Sequence, residues 1–374
     1  MANTAFGVND AETVKVWRRK LAMESRKKSA FNGMIGTGPD NLIQEVNDLK
    51  KSPGDTVKTT LVMQMTGRGV QGDATLEGNE ESMSTYVDNV YIDQIRHAHR
   101  SGGKMSEQRV AFNVRSTAKN LISDWIATRQ DRAIMLQLAG YTGPAVTEHG
   151  ETYDGSDTIY TGNNATLAPN STSKYRLDNN SGTITTPQEE DEQIGSADTM
   201  NLNGLDHMKA IAETRSPMVK PLRVQGYSDK MYVAFLHPWQ VRDLRTNTST
   251  GQWLDITKFA YEGLGDTKNP IFRGSLGIYN GIILKESPRV PQGVNSSSGA
   301  AISTVRRSVL AGAQAATIAF NNGSNYEAWT WHEKDFDYAN QGGLAAGCIC
   351  GVKKNRWNSI DFSSLVMSTY AAAS

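Results

Sequence analysis

Few side chains in this 374-residue chain stand at spacings that do chemistry. His97 and His99 lie two apart, so on a strand they would share a face. A zinc site needs three or four ligands, and no further ligand can be placed beside them. Cys348 and Cys350 repeat the same i, i+2 spacing. They are poorly placed to bridge each other and too few to hold a metal, so buried reduced thiols are expected. Asp154 and Asp157 suggest calcium only by their charge, because no acidic ligand follows where a calcium loop requires it. The glycine-rich run Gly67–Gly78 (GRGVQGDATLEG) lacks the Gly-Lys-Ser/Thr of a phosphate cradle. His237 precedes Pro238 after an apolar run, and one histidine beside a proline reads as structural. There is no Gly-x-Ser-x-Gly elbow, no His-Glu-x-x-His and no dinucleotide fingerprint after a strand. These residues support no enzyme and imply no cofactor or metal.

Charge is a stronger signal than any motif. Lys+Arg and Asp+Glu balance at 39 each, but they are unevenly spread. Lys15, Arg18, Arg19, Lys20, Arg26, Lys27 and Lys28 face Glu24 alone within 14–28. Between 143 and 200 ten acids face only Lys174 and Arg176. The basic cluster shares a helical pattern with Val14, Trp17, Leu21 and Phe31, so it is a candidate surface for nucleic acid, an anionic membrane or an acidic neighbour. No apolar h-region opens the chain and no run of 18 apolar residues occurs, so neither a signal peptide nor a membrane span is expected.

The elements that would position these groups begin with a spine. From Ser106 to about Ala139, apolar residues (Val110, Val114, Ala118, Leu121, Ile122, Trp125, Ile126, Ala133, Leu136) recur at steps of mostly three and four. Ser106 is the expected N-cap and Gly140 the C′ residue, which makes a helix about 50 Å long. Arg109, Arg115, Lys119, Arg129 and Arg132 are assigned to its solvated or partner-facing side. Before it, Asp55–Met65 and Ser84–Ile95 read as two strands of a long hairpin around the glycine-rich tip. Such a ribbon is marginal alone in water, so its apolar face needs another surface. Asn41–Lys51 reads as a short helix or turn, and 141–201, with its turn clusters, as a hairpin-bearing surface insertion. Helices are expected at Asn203–Arg215, Trp239–Arg245 and Thr257–Glu262. Strands are expected at Met231–Leu236, Tyr326–Trp331, Leu344–Val352 and Ser364–Thr369, with an Asn280-Gly281 hairpin turn. Val309–Phe320 should be buried. Strands and helices mixed without βαβ regularity indicate an α+β class.

Several stretches, in order, resemble one family. They are the hairpin Gly54–Gly102, FLHPWQVRDLR (Phe235–Arg245), NPIFRGSLGIYNGIILKES (Asn269–Ser287), RRSVLAGAQAATIAF (Arg306–Phe320) and DYANQGGLAAGCICGVKKNRW (Asp337–Trp357). The chain resembles the major capsid proteins of tailed bacteriophages with the Hong Kong 97 fold, in the branch of the coliphage N-four coat protein. The resemblance implies an N-terminal arm (1–53), an extended hairpin loop (54–103), a peripheral-domain spine helix (104–140) and an axial domain (204–291). The acidic segment 141–203 would be an insertion, and 292–374 would return to the peripheral-domain sheet.

The resemblance also implies a protein that self-assembles through hexamers and pentamers into the icosahedral shell around a double-stranded DNA genome. Assembly would occur in the host bacterial cytoplasm, beside portal, scaffolding and cement or decoration proteins. The hairpin, represented by Val57, Leu61, Met63, Arg68, Val70, Tyr86, Val90 and Ile92, would lie on a neighbouring subunit, and the basic cluster would face DNA or that neighbour. No lysine lies between Lys58 and Lys104, so the loop cross-link of the namesake phage is not expected. The alternative is a DNA-binding or packaging accessory protein built on the basic helix.

Overall fold

The computed structural model describes residues 21, 23–25, 27–47, 54–63, 65–155, 161, 163–178, 183–184, 190–223, 230–246, 275–321 and 328–372. The spine helix runs over Val114–Ala139, 26 residues or about 39 Å. It starts later than the apolar spacing suggests. Lys104–Gln108 forms a separate short helix, and Asn113 caps the long one by accepting from the Ser116 amide at 3.1 Å. An Asn side chain satisfies an orphan N–H better from the cap than from a helix interior, so the break falls there and Ser106 caps nothing. The far end is as expected. Gly140 is left-handed at φ 61°, and a Cβ there would meet the Leu167 carbonyl at 2.6 Å.

The spine lies on a first sheet built around the long strand Gln341–Lys354. That strand pairs antiparallel with Thr330–Phe336, Ala316–Phe320 and Asp93–Arg100. Ala316–Phe320 in turn pairs parallel with Ile43–Val46. The helix or turn expected over 41–51 is therefore a strand in its described part. Its Ile43 and Glu45 alternate inward, and the edge of Ala316–Phe320 offers the hydrogen bonds a free turn would lack. Ile122, Ile126 and Ile134 of the spine pack in one cluster with Leu344, Ala346, Cys348 and Val352. Both cysteines are buried and reduced.

The second sheet runs in the order 275–279, 282–286, 232–236, 301–311, 364–370, 174–178, 183–184. Tyr232–Leu236 is buried throughout, as a central strand covered on both faces must be. Asn280 (φ 44°) and Gly281 (φ 76°) make the primed turn their types demand. The helix Leu202–Thr214 covers this sheet with Leu205, Met208 and Ala212.

Two expectations of organisation are corrected by this pairing. Lys174–Asp178 pairs parallel with Ser364–Tyr370 and buries Tyr175 and Leu177, so segment 141–203 supplies part of the core rather than a surface insertion. The β-prone stretch Lys174–Leu177 is a strand as its composition suggests, but its inward alternation serves the second sheet. The second sheet also draws on 301–311 and 364–370, so the unit expected at 204–291 is completed by chain beyond it. The helix expected at Thr257–Glu262 lies outside the described residues.

Candidate assembly surfaces

The hairpin pairs Thr56–Val62 with Thr85–Tyr91 over seven residues in strict register. Its two faces differ. The register sets Val57 opposite Val90, and with Ile92 they close onto Ala319, Val46 and Ile349 of their own sheet. Lys353 clamps the same root, bonding the Asp88 carboxylate at 2.5 Å and the Asn89 carbonyl at 2.8 Å. The hairpin thus has a foothold in its own subunit, and Val57, Val90 and Ile92 form that foothold rather than an open surface. Beyond the root burial stops. Leu61, Tyr86 and Val70 are half-buried, while Met63 and Arg68 are exposed. On the opposite face Val62 and Val87 are 53% and 58% exposed, and Tyr91 44%. Met65, Leu76 and Met83 at the tip are exposed as well. Several large apolar side chains exposed on one ribbon make it a candidate interaction surface.

The tip is held in shape by Glu81. Its carboxylate accepts from the Thr66 amide at 2.8 Å and the Gly67 amide at 2.6 Å, bridging the two arms. Those backbone bonds, Thr66 first, hold the Glu81 carboxyl below its usual range.

A second apolar surface sits where the chain enters the spine. A cleft of about 350 Å³ is lined by Val110, Phe112, Ala118 and Leu121, with Phe112 and Leu121 exposed.

Of the basic cluster, Lys15, Arg18, Arg19, Lys20 and Arg26 lie outside the described residues. Lys27 is exposed, and Lys28 pairs with Asp124 of the spine at 2.5 Å. The spine's own cations divide along its length. Arg109 and Arg115 are exposed and Arg129 is half-buried, whereas Arg132 is fully buried and Lys119 pairs with Glu24 at 2.7 Å. The rear of the helix is enclosed all round, so its polar residues are buried with partners rather than exposed.

Those partners are what sequence reasoning missed. Asp131 accepts from the Ser29 hydroxyl at 2.5 Å and the Ala30 amide at 2.7 Å, with Arg289 at 3.5 Å, and so ties the N-terminal segment to the spine. Burial outweighs those bonds and pushes its carboxyl up to about 6. Asp191 is reached by Arg307 at 2.7 Å, Lys174 at 3.3 Å, the Ser368 hydroxyl at 2.7 Å and the Val294 amide at 2.8 Å. Burial would raise it, but these charges and donors hold it below the usual range. Arg307 also donates to the Gly140 carbonyl, joining the helix end to the second sheet. Glu148 accepts from Arg306 at 2.6 Å, Gln292 at 2.8 Å and the Tyr153 hydroxyl at 2.9 Å. Burial opposes these bonds, and they prevail, holding its carboxyl at about 2. The adjacent charges Asp131-Arg132, set just before the apolar run 133–136, were the one visible signal of buried pairing.

Two of the histidines singled out in the sequence serve the packing of the fold. His97 stacks on Trp125 of the spine at 4.6 Å instead of aiming at a ligand. His237 sits buried, its imidazole pushed down to about 3 by burial and then by Arg306, so it stays neutral. Among the described residues no three His, Cys, Asp or Glu side chains converge as metal ligands, and no helix is long and apolar enough to cross a membrane.

Comparison with known proteins agrees with this architecture. The family described as phage capsid protein matches residues 5–373. The major capsid protein of Pseudomonas phage KPP25 is 28% identical, over 99% of this chain and 97% of its own length. The capsid of Ralstonia phage GP4 superposes with a TM-score of 0.77 at 28% identity, covering 100% of this chain and 99% of its own. That of cyanophage Pam1 shares the fold with a TM-score of 0.69 at 19% identity, covering both chains fully. The α+β arrangement is that of phage capsid shells, the Hong Kong 97-type class the resemblance implied. The chain belongs to the phage capsid protein family.

Proposed function

We propose that this chain is a major capsid protein, with a structural rather than catalytic role, and that many copies build the shell enclosing the double-stranded DNA of a tailed bacteriophage. The observation that carries the reading is the hairpin: rooted in its own sheet by Val57, Val90 and Lys353, yet apolar and exposed beyond the root. A shell needs weak contacts made many times, and a ribbon with one fixed end and one uncovered end supplies such a contact to each neighbour. Its exposed backbone edges add a strand-addition mode.

In this reading 1–53 is an arm, 54–103 the extended loop and 104–140 the spine, with hexamers and pentamers as the assembly units. The shell forms in the host bacterial cytoplasm, with portal, scaffolding and cement or decoration proteins as partners. The cluster Lys15, Arg18, Arg19, Lys20, Arg26, Lys27 and Lys28 faces either packaged DNA, gaining from counterion release without reading sequence, or an acidic neighbour.

Deleting residues 1–28 tests this against the accessory-protein alternative. A shell protein responds with altered particle assembly, seen by sedimentation. A DNA-binding accessory protein loses salt-sensitive DNA affinity and leaves its monomer otherwise unchanged.

A further inference from the structure

The first sheet has two faces. His97, Trp331 and Glu333 belong to the one turned toward the spine, where His97 stacks on Trp125 and Glu333 pairs with Arg115 at 2.7 Å. Strand alternation therefore places Arg96, Arg100, His332, Lys334 and Phe336 on the opposite face. There, Arg100 and Lys334 both stand opposite Gly343 of the long strand, one from each side. The Phe336 ring lies across that glycine, where an added Cβ would come within 2.6 Å of the ring. The Arg100 guanidinium sits 4.4 Å from the ring centroid, and the Lys334 ammonium 5.2 Å. Gln341 steadies Arg100 further, accepting from its Nε at 2.8 Å.

Two like charges are thus gathered on one aromatic ring at an exposed surface. Cation–π attraction offsets part of their repulsion, and a shared anion would offset the rest. A planar guanidinium beside an ammonium suits a carboxylate, which the fork of Arg binds by two parallel bonds.

We propose that Arg100, Lys334 and Phe336 form a carboxylate socket, and that its occupant is the acidic hairpin tip of a second copy of this chain. The proposal rests on reading the hairpin as an intersubunit element. Residues 65–84 carry Asp73, Glu77, Glu80 and Glu81 against Arg68 alone, and no lysine. Glu81 is spent inside the tip and Glu80 accepts from the Gly78 amide at 2.7 Å, which leaves Asp73 and Glu77 as the tip's uncommitted exposed carboxylates. Among the described residues no ion pair joins the tip to the socket of the same chain. The hairpin root is clamped at Lys353, while the socket sits at Gly343, about 33 Å along the same strand. The two ends of one subunit thus carry complementary halves of one contact.

The experiment is a charge exchange in the full chain, read by analytical sedimentation and negative-stain microscopy. Arg100→Glu with Lys334→Glu should cut the assembled fraction at least tenfold, and so should Asp73→Lys with Glu77→Lys. The four changes together should recover assembly. The milder pair Arg100→Gln and Lys334→Gln, checked for an unchanged circular dichroism spectrum, separates lost docking from lost folding and should also reduce assembly. Assembly unaffected by the charge-reversed or neutral socket would overturn the proposal while leaving the hairpin reading intact. Loss without recovery in the exchanged protein would also overturn it. If the socket variants then lost affinity for duplex DNA, the socket would be a phosphate site. Failure of the unaltered chain to assemble under any condition would remove the hairpin reading and the socket with it.

Discussion

The rear of the spine helix and the hairpin treat their surfaces in opposite ways. In the helix, Asp131 and Arg132 are buried and their charges are answered from three directions, by Ser29 and Ala30, by Arg289 and by Glu151. In the hairpin, Val62 and Val87 lie more than half exposed with nothing of their own chain over them. One region has its charges answered within the fold, and the other leaves apolar side chains at the surface. On the proposed function, that second surface is what a neighbouring subunit covers.

The largest expected effect breaks the body. Asp191→Ala leaves Arg307 and Lys174 without their shared carboxylate in a buried site, a loss of about 3–5 kcal/mol. Thermal unfolding of the unassembled subunit should show it, or soluble yield should collapse. An unchanged melting temperature would mean that the clasp carries no stability.

A smaller effect comes with pH, and its two signs oppose. The folded Asp131 carboxyl, at about 6, lies above its ordinary value of 3.8. Folding therefore favours the protonated form, and this contribution is full below pH 3.8 and lost as pH rises through 6. Lowering pH from 7 to 5 should stabilise the subunit by on the order of 1 kcal/mol through this group, and Asp131→Asn should flatten that rise. Glu148 runs the other way. Held at about 2 against an ordinary 4.5, it stabilises the fold above pH 4.5 and loses that contribution as pH falls toward 2. Glu148→Gln should reduce the acid-side decline in chemical denaturation curves recorded across this range, Asp191 supplying part of what remains.

The smallest effect on stability should be the most telling for function. Val62→Ser with Val87→Ser removes exposed apolar surface only, so the unassembled subunit should change by less than about 0.5 kcal/mol. Its assembled fraction should nonetheless fall severalfold by sedimentation. Equal assembly by the serine variant would remove the contrast between the two regions.

The same contrast explains what the sequence made legible. Strong local chemistry was readable: the left-handed Gly140, the Asn280-Gly281 turn, the apolar run Tyr232–Leu236 and the hairpin around a glycine-rich tip. What failed was set by distant partners. Ile43–Val46 became a strand because Ala316–Phe320 offered an edge, and the β-prone Lys174–Leu177 lies in the core because its partner strand stands almost 200 residues away. Lys119 and Arg132 were assigned to solvent with the exposed Arg109 and Arg115 because helical spacing says which residues share a face but not what encloses it. Of the candidate hairpin residues, Val57, Val90 and Ile92 face their own sheet because the register Val57↔Val90 turns them to Ala319. Met63 and Arg68 remain exposed. Alternation marked the apolar face, but only the fold shows where along the ribbon that face leaves its own subunit.

The most direct test is electron microscopy of the purified chain, alone and together with the other structural proteins of its phage. Closed shells, or rings of five and six subunits with each hairpin lying across a neighbour, are the predicted result. A chain that stays monomeric even with those proteins present would contradict the account.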